Sequence, residues 1–112
     1  MSQFTSHILD TSLGLPAAGV KINLYQLKAE QWLLIGFDTT DADGRVKNLT
    51  DAGVVLDPGS YKLLFHTQDY FQKQGISAFY PEVAVTFVTK DTEHYHVPLL
   101  LNPFGYSTYR GS

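Results

Sequence analysis

The spacing of the apolar residues constrains this chain most, because they recur at every second position in short runs. In Gly19–Leu27, Val20, Ile22 and Leu24 alternate with Lys21, Asn23 and Tyr25. Successive side chains of a strand point to opposite faces, so this spacing buries one face and wets the other. The same alternation puts Tyr61, Leu63 and Phe65 on one face of Ser60–Thr67, and Val83, Val85 and Phe87 on one face of Glu82–Lys90. Trp32–Thr40 and His94–Leu101 read as further strands, with shorter ones around Phe4–Leu9 and Val54–Leu56. Turn-forming Asp41-Ala42-Asp43-Gly44 and Asp57-Pro58-Gly59 cut the runs apart. Only Thr67–Gly75 reads as helical, with Thr67 as its cap, Asp69 in the first turn and Gly75 as its stop. Two turns of helix cannot organise a fold. About seven or eight short strands at roughly ten-residue intervals instead imply an all-β fold. The expected architecture is an antiparallel two-sheet β-sandwich with one short helix, in a single domain over residues 1–112. Pro98 has no N–H to donate, which places it at a sheet edge or at an interruption in a ladder.

Composition narrows the partners. A chain of 112 residues, 44% hydrophobic with seven Phe, seven Tyr and one Trp, can bury one core and is not a disordered segment. A net charge of −3 with scattered Lys and Arg opposes partners bound mainly through positive charge, so neither nucleic acid nor an anionic membrane surface is expected. No cysteine is present, which removes disulfides, thiolate zinc sites and a Cys nucleophile. Met1–Asp10 lacks a basic stretch followed by a long apolar one, and no apolar run nears the ~18 residues of a membrane span. The expected location is therefore the cytoplasm.

The candidates for chemistry are few. His94 and His96, two apart on a strand, project to one face, where they could bind a metal, supply a general base near neutral pH, or be structural. No Asp, Glu or Cys stands at a chelating spacing beside them, which disfavours the metal. His7, in a short apolar strand, has the ordinary reading of a buried, hydrogen-bonded imidazole. Arg45, after the Asp41–Gly44 turn, is either solvated or a fork of donors for a planar polar ligand. That turn lacks the later Glu of an EF-hand and a preceding helix, so calcium is discarded. Tyr106 and Tyr109, with Arg110 beside them, make the C-terminal stretch unusually aromatic, but spacing does not connect it to His7 or Arg45.

Two long segments add a resemblance. His7–Leu27 (HILDTSLGLPAAGVKINLYQL) resembles the N-terminal signature of the transthyretin-like family, and His94–Ser112 (HYHVPLLLNPFGYSTYRGS) its C-terminal one. TTDADGRV and YKLLFHTQDYFQKQG fall between them in the family's order. The family has a hormone-carrying branch and an enzyme branch that hydrolyses 5-hydroxyisourate in urate degradation, giving 2-oxo-4-hydroxy-4-carboxy-5-ureidoimidazoline. The terminal YRGS is what the enzyme branch carries. His7, Arg45 and His96 match its two histidines and arginine, where the carriers look like Lys, Glu and Thr. The resemblance implies cyclic-amide hydrolysis of a small purine-derived substrate without metal or organic cofactor. It implies His7 and His96 for proton transfer and Arg45 as a clamp. Tyr109, Arg110 and Gly111 would shape the pocket, with Gly111 letting the backbone approach the ligand. Ser112 would supply its hydroxyl and terminal carboxylate, while His94 has no role of its own. It further implies a homotetramer, a dimer of dimers with sites at the dimer–dimer interface. Asn102 stands where the family usually has Ser, a difference expected to be confined to the turn before Pro103. A carrier of a small ligand is the competing reading.

Overall fold

Alternation and turn chemistry together produce the strands found in the computed structural model, which describes residues 2–112. In chain order these are β1 (Phe4–Asp10), β2 (Leu15–Pro16), β3 (Lys21–Lys28), β4 (Gln31–Thr39), β5 (Arg45–Val46) and β6 (Gly59–Phe65), then helix α1 (Thr67–Gln72), then β7 (Val83–Thr89), β8 (Tyr95–Asn102) and β9 (Gly105–Thr108). One sheet runs β2-β1-β8-β9 with β5 also paired to β1, and the other runs β4-β3-β6-β7. Every pairing is antiparallel except β1 with β8, which is parallel.

The two sheets face each other through the residues that the alternation marks as inward. Phe4 and Ile8 of β1, Ile22 and Leu24 of β3, Tyr61, Leu63 and Phe65 of β6 and Leu99 of β8 are fully buried. Phe4 crosses between the sheets to meet the Tyr61 ring at 4.9 Å. Each such side chain contributes about 1.5–3 kcal/mol through the apolar surface it removes from water.

Three details differ from the sequence reading. Val54–Leu56 forms no strand, because its backbone is engaged otherwise: Leu56 N–H donates to Gln3 Oε1 at 2.8 Å. The helix is shorter than Thr67–Gly75, and Thr67 does not cap it. His66 occupies the cap position, and Thr67 is buried in the first turn with its hydroxyl unpaired among the described residues. Gly75 does close the helix end, at φ +71°, where Ile76 N–H reaches back to Phe71 O at 3.0 Å. Third, β2, β5 and β9 had no counterpart in the alternation. Two are only two residues long, and β9 has no buried residue to reveal it.

The helix is tied to β1 by a buried polar contact. Tyr70 Oη donates to Asp10 Oδ2 at 2.7 Å, and Asp10, with no exposed surface, also accepts from Ser12 N–H at 3.0 Å. Burial, with the Asp10 contact adding to it, pushes the Tyr70 phenol up to about 12. Pro98 is not at an edge, since β8 lies between β1 and β9. It stands instead at an interruption: the β8–β9 ladder stops at Leu99–Thr108 and resumes only at the His96–Gly111 bridge. The turn between these strands is held by Asn102, whose Oδ1 accepts from Phe104 N–H at 2.9 Å.

Candidate active site

The outward face of β1 carries the first part of the site. Phe4, Ser6 and Ile8 point into the sandwich, so Thr5 and His7 point out. Register sets His7 between Arg45 on β5 and Pro98 on β8. The Asp41–Gly44 turn delivers Arg45 to that position. Asp41 Oδ1 accepts from Asp43 N–H at 2.9 Å and from Arg45 N–H at 3.1 Å, and the bond from Arg45 leads in holding this exposed carboxyl below its ordinary value. Gly44, at φ +73°, lets the turn press on β1: Ile8 N–H donates to Gly44 O at 2.8 Å, and a Cβ on Gly44 would lie 2.5 Å from Ile8 O. Residues two apart share a face, so Lys47 follows Arg45 outward while Val46 is buried.

β8 supplies the second part. Thr5 pairs in register with His96, and its buried hydroxyl lies 2.8 Å from His96 Nδ1 and 2.9 Å from His94 Nε2. The two imidazole planes are 20° apart, with ring centres separated by 6.5 Å. Burial, first, and then the electrostatic influence of Arg45, with those of the neighbouring His94 and His7 after it, lower the His96 imidazole below its ordinary 6.5. His96 is therefore neutral at pH 7, with a basic nitrogen available. A cavity of about 150 Å³ opens here, lined among others by Thr5, Arg45, Lys47, His94, His96 and Ser112. Its cationic rim suits a polar substrate carrying negative charge. Among the described residues, no three His, Cys, Asp or Glu side chains stand together as a metal-binding group.

The C-terminal segment is the third part. Gly111 N–H donates to His96 O at 2.8 Å, which carries Ser112 to the cavity. Within the chain, the glycine has a packing reason. A Cβ on Gly111 would fall 2.6 Å from His96 Cδ2 and 3.1 Å from Pro98 Cγ, so its bareness admits the imidazole. Tyr109 and Arg110 are not brought to this cavity within one chain. Arg110 lies over the Tyr95 ring, with Cζ 4.6 Å from its centre, and both line a separate groove of about 340 Å³ beside β7. The sequence reading missed Thr5 and Lys47, and it gave His94 no part. A period-two count from His7 and from Arg45 reaches Thr5 and Lys47.

Fold and site together define a class: a two-sheet β-sandwich with a histidine- and cation-lined site on the outer face of one sheet. The chain matches the HIUase/Transthyretin family over residues 4–111 and belongs to that family. It is 46% identical to the 5-hydroxyisourate hydrolase of Mus musculus, over 99% of this chain and 96% of that protein. Among solved structures it resembles Klebsiella pneumoniae 5-hydroxyisourate hydrolase, with TM-score 0.84 and 34% identity over 97% and 98% of the two chains. It also resembles sea bream transthyretin in complex with thyroxine, with TM-score 0.91 and 32% identity over 98% and 95%. A fold shared by a hydrolase and a hormone-bound protein leaves function to the site residues.

Proposed function

We propose that this protein hydrolyses 5-hydroxyisourate, opening its ring at the cyclic amide to give 2-oxo-4-hydroxy-4-carboxy-5-ureidoimidazoline. The observation that carries the reading is the meeting of Arg45, His96 and Ser112 at one cavity, with His7 set beside Arg45 by strand register. Neutral His96 takes a proton from water as the water oxygen attacks the amide carbonyl carbon. Arg45 donates to the oxyanion that forms. The C–N bond then breaks, and the proton held by His96 passes to the leaving ring nitrogen, directly or relayed through His7, so that one ring-opened product carries the new carboxyl and the ureido nitrogen with protons balanced. Arg45 and Lys47 hold the polar edges of the flat substrate, and the Ser112 hydroxyl contributes a further hydrogen bond.

The assembly belongs to the same reading. The site lies on an outer sheet face, and Leu15, Phe104 and Tyr106 are large apolar side chains left exposed in a single chain. Packing of two dimers across that face would convert it into a channel wall and complete the site, with Tyr109 and Arg110 shaping the pocket in that assembly. Light scattering that finds an active monomer would contradict this assembly. Freshly generated 5-hydroxyisourate has a decaying ultraviolet absorbance, and the protein at catalytic concentration should accelerate that decay. A spectral shift stoichiometric with protein, without faster decay, would instead identify a carrier.

A further inference from the structure

Thr5 has one hydroxyl proton, yet its Oγ1 stands within hydrogen-bond distance of two imidazole nitrogens, His96 Nδ1 at 2.8 Å and His94 Nε2 at 2.9 Å. A hydroxyl donates once and accepts up to twice, so when both contacts are bonds at least one imidazole must donate. Where Thr5 gives its own proton to one of them, the two histidines take complementary tautomers. In one arrangement His94 Nε2–H donates to Thr5, which donates to His96 Nδ1. His96 then carries its proton on Nε2, and its one basic nitrogen, Nδ1, can take a proton only by losing the bond from Thr5. In the other, His96 Nδ1–H donates to Thr5 and Thr5 donates to His94 Nε2, leaving His96 Nε2 with a free lone pair.

We infer that Thr5 is a positioning residue, whose buried hydroxyl, bridging His96 Nδ1 to His94 Nε2, holds His96 in the tautomer with an unprotonated Nε2. The role of an imidazole nitrogen is set by the bond its other nitrogen makes. His94 is exposed, so its remaining ring proton on Nδ1 is met by solvent. The arrangement also survives the chemical step: when His96 gains a proton on Nε2, Nδ1–H still donates to Thr5 and no hydrogen bond is broken. Thr5 is 5% exposed on β1, so the bridge is held by the sheet register that pairs it with His96. This inference rests on the reading of His96 as the base, and it gives His94 a task through Thr5 although it touches no reacting atom.

The test is Thr5→Val, which keeps the shape and removes the hydroxyl, beside Thr5→Ser, which restores it. Steady-state kinetics on 5-hydroxyisourate should show kcat reduced roughly 10- to 100-fold in T5V, the scale for groups that orient a functional imidazole, with recovery in T5S. KM should stay within about twofold, because substrate contacts are unchanged. Histidine nitrogen NMR should show the His96 Nδ1–H tautomer in the parent and T5S and a shift toward Nε2–H in T5V. Unaltered kcat with an unaltered His96 tautomer in T5V would overturn the inference. If the parent does not hydrolyse the substrate at all, the proposed function fails, while the NMR comparison still decides whether Thr5 sets the tautomer.

Discussion

Replacing Gly111 by alanine tests how the C-terminal segment and the site depend on each other. Gly111 is outside the left-handed region, so alanine meets no backbone strain. At such positions a Gly→Ala change ordinarily stabilises by about 0.4–1 kcal/mol through the unfolded chain. Here the new Cβ lands 2.6 Å from His96 Cδ2, 3.3 Å from Cγ and 3.1 Å from Pro98 Cγ. Carbon atoms in contact prefer about 3.5–4.0 Å, so something must yield by about 1 Å. If the imidazole yields, its 2.8 Å contact with Thr5 is lost. If the segment yields, the 2.8 Å bond from Gly111 N–H to His96 O breaks and Ser112 leaves the cavity. A misplacement of about 1 Å costs on the order of 10²-fold in rate, or about 2.7 kcal/mol of transition-state stabilisation. The ultraviolet decay of 5-hydroxyisourate should therefore show kcat about 10²-fold lower in G111A, while a thermal scan shows Tm changed by only a few degrees, because the core is untouched. A G111A enzyme with parental kcat would refute the packing of His96 on this glycine.

Four other outcomes follow from the same geometry. The acidic limb of the kcat–pH profile should lie below 6.5, because a base held below that value stays unprotonated to lower pH. Arg45→Gln removes the guanidinium charge that acts on His96 and should move the limb upward only part of the way, since burial is the larger cause; a limb that moves down would contradict the electrostatics. Deleting residues 109–112 removes the His96–Gly111 bridge and Ser112, so hydrolysis should vanish while cooperative thermal unfolding persists; an active truncation would separate the segment from the chemistry. Tyr70→Phe removes the donor to buried Asp10 and should cost about 1–3 kcal/mol in denaturant unfolding, with activity per folded molecule unchanged; parental stability would show that this contact contributes nothing.

The strands that bury a face were legible in the sequence because burial writes a period of two into the residues themselves. Val20, Ile22 and Leu24, or Tyr61, Leu63 and Phe65, needed no partner to be recognised, and each set is fully buried. The turn at Asp41–Gly44 was legible for a similarly local reason, since Asp41 and Gly44 make its bonds within five residues. Segments whose backbone is satisfied from afar were not. Val54–Leu56 looks like a strand until Gln3, 53 residues away, takes the Leu56 N–H.

The site divides along the same line. Family resemblance pointed to His7, Arg45, His96 and the C-terminal segment as residue types at matching positions, but it does not say which atoms meet. The parallel register of β1 with β8 brings Thr5 to His96, a contact across 91 residues that no local pattern encodes. The same tertiary arrangement sends Arg110 to the Tyr95 ring while Gly111 takes the His96 face. Local sequence determines which faces are apolar and where the chain turns, because those depend on neighbours in the chain. Which imidazole nitrogen meets a hydroxyl, and whether burial lowers its proton affinity, depends on strands that meet only after folding, so only the tertiary structure decided them.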